Sequence, residues 1–371
     1  MKNPYIAARP SRVPDDKLDF AEKALAETGN NTGNLLFFSA VRRIVKHDRP
    51  SFSMSFNPTQ VREHHDGIVI PAANWLNSTG DFGGLANIIE ASGLPCVVVG
   101  LGAQSYSSEK YPKLTDGTKR FLSVLSDRAA SLSVRGEYTA DVLLNNGIKN
   151  VDVTGCPSLL WHVDRPARIG AKPTEVRSIA MNGTRSDNDP DLLKPGSVYG
   201  IGLLISRYAF RKKIDYVLQT ELSEMQILWG EASTISVQAI ERLKKIYQSK
   251  DIEGIKSYIN DSIKVFTNVE SWMEYLVTKD LIVGTRLHGA IAAVLCGRPA
   301  ILVAHDTRTK EMADWACLPT VPAKTFLDRG SVDFDAEYEE LDVDKFNVRQ
   351  LGYYEDFKSF FTKNGVATNL I

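Results

Sequence analysis

The chain alternates short, β-branched apolar runs with amphipathic helical stretches, and that alternation restricts it to an α/β fold built on parallel sheets. Runs of strand character lie at residues 67–71, 96–100, 131–134 and 151–153 in the first half. Helical patterns occupy 34–45, 84–92, 117–126 and 138–145, the last followed by Gly147 as a C-cap. A looser stretch at 161–174, holding Pro166, Gly170 and Pro173, separates this half from the next. Beyond it, strands are expected at 177–181, 216–218, 265–267, 281–283 and 300–303, and helices at 235–248, 252–261, 271–278, 287–295 and 309–316. An aromatic-rich tail, 353–361, reads as a last helix docked on the body.

A length of 371 residues suits two domains rather than one. The expected division is an N-terminal α/β lobe over 1–165, a C-terminal α/β lobe over 166–340 and a tail over 341–371. Two such lobes face each other across a cleft, and sites in such folds sit at the carboxyl ends of the strands. The formal net charge of -1 gives no global field for a polyanion, which argues against nucleic acid as partner. No apolar run reaches the roughly 20 residues of a membrane span, since residues 290–304 are broken by Arg298 and Pro299. With no signal-peptide pattern at the start, the expectation is a cytoplasmic protein. Cys96, Cys156, Cys296 and Cys317 are scattered, so neither structural zinc nor disulfides are expected, and no acidic or histidine cluster has metal-ligand spacing.

One turn stands out. Gly284-Thr285-Arg286-Leu287-His288-Gly289 joins an apolar strand to an apolar helix. Gly284 allows a sharp exit and Thr285 is a candidate N-cap, which places Arg286 and His288 in the first helical turn. Free N–H groups and the helix dipole already favour an anion there, and a guanidinium adds a clamp for phosphate or carboxylate. A histidine at this end has its pKa pushed down while the site is empty and restored by a dianion, which suits a general acid. The bland alternative is an arginine that pairs with a carboxylate elsewhere and an interior histidine. The next strand ends in His305-Asp306-Thr307-Arg308-Thr309, which should open on the same crevice. There His305 and Arg308 can extend the anion site, and Asp306 or Thr307 can cap the following helix.

The run from Val283 to Ala290, with Gly297-Arg298-Pro299-Ala300 and Ala304-His305-Asp306-Thr307-Arg308-Thr309, resembles the polysaccharide pyruvyl transferase family. Asn31-Thr32-Gly33-Asn34, Ser133-Val134-Arg135-Gly136-Glu137-Tyr138-Thr139 and Thr154-Gly155-Cys156-Pro157-Ser158 agree with it. The resemblance implies two Rossmann-like lobes similar to the GT-B glycosyltransferases. It implies transfer of the enolpyruvyl group of phosphoenolpyruvate to a sugar, commonly as a ketal. Arg286, Leu287 and His288 would line the phosphoenolpyruvate pocket with Arg135, joined by His305 and Arg308, and His288 would be the catalytic acid. Where many members carry Asp-Pro, this chain has Cys156-Pro157, so a role for that aspartate does not transfer.

Removal of the acceptor's hydroxyl proton falls to His305, Asp306 or Glu221, and the sequence does not choose among them. The acceptor, a sugar or oligosaccharide, is expected on the N-terminal lobe. Asn31, Thr32, Asn34, Asn74, Trp75 and Gln104, with Ser105, supply amides, hydroxyls and a ring at strand ends. If that acceptor is lipid-linked, the protein works at the inner membrane face. No cofactor or metal beyond the donor is expected. A GT-B glycosyltransferase using a nucleotide sugar is the competing enzyme, and a non-catalytic anion or glycan sensor is the competing binder.

Overall fold

The computed structural model describes residues 1–48, 53–105, 111–187 and 189–371. The N-terminal half of the chain contains β1 (Tyr5–Ile6), α1 (Ala21–Glu27), whose Ala21 and Leu25 join the core of the C-terminal lobe, α2 (Asn34–Ile44), α3 (Pro58–His64), β2 (Ile68–Pro71), α4 (Gly83–Ser92), β3 (Cys96–Val99), α5 (Asp116–Arg128), β4 (Leu132–Val134), α6 (Glu137–Asn145) and β5 (Val151–Val153). The C-terminal lobe begins with β6 (Ile179–Asn182), α7 (Gly200–Lys212), β7 (Asp215–Val217), α8 (Leu222–Leu228), α9 (Val237–Tyr247), α10 (Ile252–Ser262) and β8 (Ile263–Lys264). It continues with α11 (Val269–Leu276), β9 (Leu281–Gly284), α12 (Leu287–Leu295), β10 (Ala300–Ala304), α13 (Thr307–Ala316), β11 (Thr320–Pro322), α14 (Ala323–Arg329), α15 (Asp335–Glu339) and α16 (Val343–Lys363).

Every strand pairing among the described residues is parallel. The C-terminal sheet runs β11-β10-β9-β6-β7-β8. Its order reverses between β6 and β9, and the crevice beyond their carboxyl ends is where ligands of open α/β sheets bind. The N-terminal sheet is split into β1-β2-β3 and β4-β5, joined through a single parallel bridge from Leu101 to Val134. The two halves therefore share a style but not a sheet size.

β9 and β10 read as unbroken apolar runs because helices cover both faces. The lobes are not hinged apart over water. α2 buries Leu35, Leu36, Phe37, Phe38, Val41 and Ile44 in one apolar core with Ile291, Val294 and Leu295 of α12. Each such side chain contributes about 1.5–3 kcal/mol of gross burial. α16 then crosses back to the N-terminal lobe. Its Tyr353 hydroxyl accepts from the Cys156 amide at 2.5 Å and donates to the Cys156 carbonyl at 3.0 Å. Lys363 reaches Asp152 at 2.9 Å, and the Asn364 side chain accepts from the Ser131 amide. Gly155, at φ +93, leaves room for the Tyr353 ring, where any Cβ would collide with the hydroxyl. The tail helix is thus more than twice as long as the expected 353–361 segment, and it bridges the lobes.

One strand is displaced from its expected position. β8 lies at Ile263–Lys264 rather than 265–267, because α10 passes into it with no turn residue between them. Among the described residues no helix is long and apolar enough to cross a membrane.

Candidate functional site

The turn after β9 is shaped by its neighbour β6. Asn182, at the end of β6, wedges its side chain between Gly284 and Gly289, and a Cβ on either glycine would overlap it. Neither glycine has a left-handed φ, so both are selected for space rather than for conformational freedom. Asn182 Oδ1 accepts from the Arg286 amide at 2.9 Å, which pins the start of α12. Thr285 is not the cap. The N-cap is Arg286, and the Thr285 hydroxyl is buried, accepting from the Thr184 amide at 2.6 Å. The amides of Leu287 and His288 donate to no group among the described residues and remain open at the helix start.

A cavity of about 230 Å³ lies here between the lobes. The N-terminal lobe lends Asn31, Asn34, Asn74, Trp75 and Arg135; the C-terminal lobe lends Gln219, Arg286, Leu287, His288 and Arg308. Three arginines and no carboxylate line it. Arg135, only 3% exposed, spends its guanidinium on neutral acceptors, namely the Gly100 and Ala72 carbonyls and Asn74 Oδ1. Burial lowers its pKa first, and the adjacent Arg308 also lowers it. Arg308 contacts Asp306 at 3.4 Å, while its Nε is buried without a partner.

Arg286 is less free than its place in the sequence suggests. Nη2 donates to Glu221 at 2.6 Å and to the Thr220 hydroxyl, and Nε donates to the Gly183 carbonyl. Only Nη1 has no partner among the described residues. Burial pushes the Glu221 carboxyl up, but Arg286, Arg185 and two backbone amides outweigh it, and the net shift is downward. A carboxylate held this way is a poor base. Behind it, Glu224 pairs with Arg185 in the fully buried interior.

His288 is 9% exposed and stacks on Phe37 at 5.7 Å. Its Nε2 lies 3.7 Å from the Cys156 thiol. Burial, then Arg135 and Arg308, lower its pKa to about 3. That shift favours the neutral imidazole, and its cause is burial between cations rather than the helix dipole. A histidine whose folded pKa lies below its unfolded value near 6.5 contributes stability that is complete above that value. The contribution is lost as pH falls toward 3, at about 1.4 kcal/mol per unit. Urea unfolding at pH 7 and pH 5 should show an acid loss about 2 kcal/mol smaller in His288→Gln than in the native chain. Identical losses would mean that the ring is not buried neutral.

Four of the expected donor- and acceptor-contact residues, Thr32, Gln104, Ser105 and His305, lie off the cavity wall. Thr32 is buried, with its hydroxyl on the Leu218 carbonyl and its amide on the Gln219 carbonyl, so it ties α2 to the C-terminal lobe. Gln104 ties Asn74 to Asp306 across the cleft, at 3.4 and 3.1 Å. His305 is buried beside Asp306 at 3.8 Å, and burial lowers its pKa. Asp306 itself caps α13, accepting from the Thr309 amide at 2.7 Å. Trp75 lines the cavity while stacking on Phe82 at 4.7 Å. Sequence reading missed Gln219, whose buried Nε2 lacks a partner, and Glu311, which ties α13 to α6 through the Thr139 amide and hydroxyl. Burial raises the Glu311 carboxyl to about 7. Among the described residues no group of three or more metal-ligating side chains occurs.

The architecture is that of a two-lobed, parallel α/β protein with a cationic cavity where the lobes meet. The chain belongs to the polysaccharide pyruvyl transferase family, whose model matches residues 13–307. No protein of curated function matches it. Among solved structures, it is similar to a UDP-bound MnaA of S. aureus, at 14% identity over 100% of this chain and 92% of that one, with a TM-score of 0.45. A UDP-GlcNAc 2-epimerase from Methanocaldococcus jannaschii matches at 13% identity over 100% and 96%, with a TM-score of 0.43. An uncharacterized protein of Klebsiella pneumoniae matches at 9% identity over 85% and 89%, with a TM-score of 0.40.

Proposed function

We propose that this transferase moves the enolpyruvyl group of phosphoenolpyruvate onto a sugar of a polysaccharide or its precursor, closing a ketal and releasing phosphate. The observation that carries this reading is a small cavity walled by three arginines and no carboxylate. Phosphoenolpyruvate brings a phosphate and a carboxylate on one short skeleton. Arg135, Arg308 and Nη1 of Arg286, with the open amides of Leu287 and His288, match that pair of anions.

The reaction balances as one addition and one substitution at the same carbon. A first sugar hydroxyl oxygen bonds the substituted carbon of the double bond and passes its proton to the His288 imidazole, while the π electrons take a proton at the methylene, which becomes methyl. His288 delivers that proton. A second hydroxyl oxygen then attacks the same carbon as its bond to phosphate breaks. Phosphate leaves with the electron pair, and the second hydroxyl proton leaves with it. Asn31, Asn34, Asn74 and Trp75 face the same cavity from the N-terminal lobe and are the acceptor contacts in this reading.

The test is incubation with phosphoenolpyruvate and a panel of glycan acceptors. Released phosphate and a pyruvylated glycan, identified by mass and NMR, are expected. Transfer from a nucleotide sugar with phosphoenolpyruvate untouched would overturn the proposal.

A further inference from the structure

The cavity wall shows what touches the reactants; the layer beneath it shows what aims His288. Cys156 is fully buried at the end of the loop after β5, at 0% exposure. Its Sγ lies 3.3 Å from the Ser158 hydroxyl and 3.7 Å from His288 Nε2. Phe37 covers one face of the imidazole, so the ring cannot swing away from the thiol without losing that stack. The Tyr353 hydroxyl grips both the amide and the carbonyl of Cys156, fixing the sulfur from the far side. With Nε2 on the sulfur, the other nitrogen, Nδ1, has no hydrogen-bond partner among the described residues, and His288 itself lines the cavity.

Which nitrogen carries the proton follows from the charges around the ring. Arg135 of the N-terminal lobe and Arg308 of α13 line the same cavity as His288. An Nδ1–H turned toward two guanidinium groups is repelled, whereas an Nδ1 lone pair is attracted. On the other side, sulfur is a soft acceptor and the thiol hydrogen can pass to Ser158 Oγ. The geometry points to Cys156 as a positioning residue: it accepts from Nε2–H of His288, donates to Ser158, and so locks the imidazole with its Nδ1 lone pair in the cavity. Resting on the pyruvyl-transfer reading, this adds that His288 must first accept a proton at Nδ1 before it gives one to the methylene carbon. The attacking sugar hydroxyl is a source of that proton, which would make a separate base unnecessary for the first addition.

The tautomer can be read without any substrate. Long-range ¹H–¹⁵N correlation spectra of histidine-labelled protein, with the His288 signals assigned by their loss in His288→Gln, should show protonated Nε2 and unprotonated Nδ1. In Cys156→Ala the two forms should mix, and kcat should fall about 10-fold with little change in the KM for phosphoenolpyruvate. Cys156→Ser keeps a donor and an acceptor at the same place, and should restore the native tautomer and most of kcat. Thermal melts confirm that both variants are folded. Protonated Nδ1 in the native protein, or an unchanged tautomer in Cys156→Ala, would overturn the inference. Because the spectra are taken on the unliganded protein, they stand even if phosphoenolpyruvate is not the donor.

Discussion

Replacing His288 with alanine is expected to lower kcat by about 10²- to 10⁴-fold while the KM for phosphoenolpyruvate changes by less than about threefold. On the proposed reading the two effects separate, because the donor's anions and its proton chemistry fall to different groups. Arg135 and Arg308 come from other elements, and Arg286 is pinned by Glu221, so all three survive the loss of the imidazole. The donor still binds, but no group delivers a proton to the methylene carbon. Steady-state kinetics with phosphate release as readout give both constants. A direct measure of binding by calorimetry guards against a KM distorted by slow chemistry. Near-normal kcat in His288→Ala would remove His288 from the reaction and leave the cavity as an anion site alone. The truncation also opens space beside Phe37 and Cys156, so the variant's unfolding midpoint must be shown to be close to that of the native chain.

The turn after β9 was legible in the sequence because everything that makes it is local. An apolar run of strand length, a glycine, an arginine and an apolar helix occupy 15 consecutive residues, from Leu281 to Leu295. Its partners were not legible, because each arrives from far along the chain. Glu221 meets Arg286 across 65 residues, and Cys156 meets His288 across 132. Nothing in the spacing announces either meeting. Glu221 could be entertained only as one of several bases, whereas the structure spends it on Arg286. Asn182 is a similar case: two glycines of the family-like turn are explained by a side chain on a neighbouring strand. Some local signals were present but unused. Asn57 before Pro58 is a cap with a proline in the first turn, and it starts α3 by accepting from the Thr59 and Gln60 amides. α7 carries Gly200 and Gly202 in its first turn, and Gly202 packs against the Thr184 backbone. There tertiary contact, not propensity, decides for helix.

The other large effect concerns the fold rather than the rate. Arg286→Met should cost about 3–5 kcal/mol of stability, because it leaves Glu221 as a buried carboxylate with no cation on it. Glu221 is 1% exposed, and its second oxygen already accepts from the Gln219 and Thr220 amides, so it cannot turn to water. Adding Glu221→Gln to Arg286→Met should recover most of the loss, since an amide oxygen still accepts from both backbone groups. The sign of the pH dependence distinguishes this pair from a packing defect. In the native chain the folded pKa of Glu221 is depressed, so its contribution is present above the unfolded value near 4.3 and lost as pH falls through the folded value. Without Arg286, burial is opposed only by Arg185 and the two backbone amides, so the pKa moves up, and protonation relieves the buried charge. The deficit of Arg286→Met should therefore be greatest near pH 7.5 and shrink toward pH 5, whereas a cavity left by a missing side chain would cost the same at both. Urea unfolding of the two variants at those pH values decides it: a constant deficit, or no recovery in the double variant, would show that Glu221 is not what Arg286 neutralises. The same logic sets how the donor contact must be measured. A KM taken on Arg286→Met alone mixes a weakened fold with a lost hydrogen bond from Nη1, so the affinity change belongs to the comparison of Glu221→Gln with the double variant.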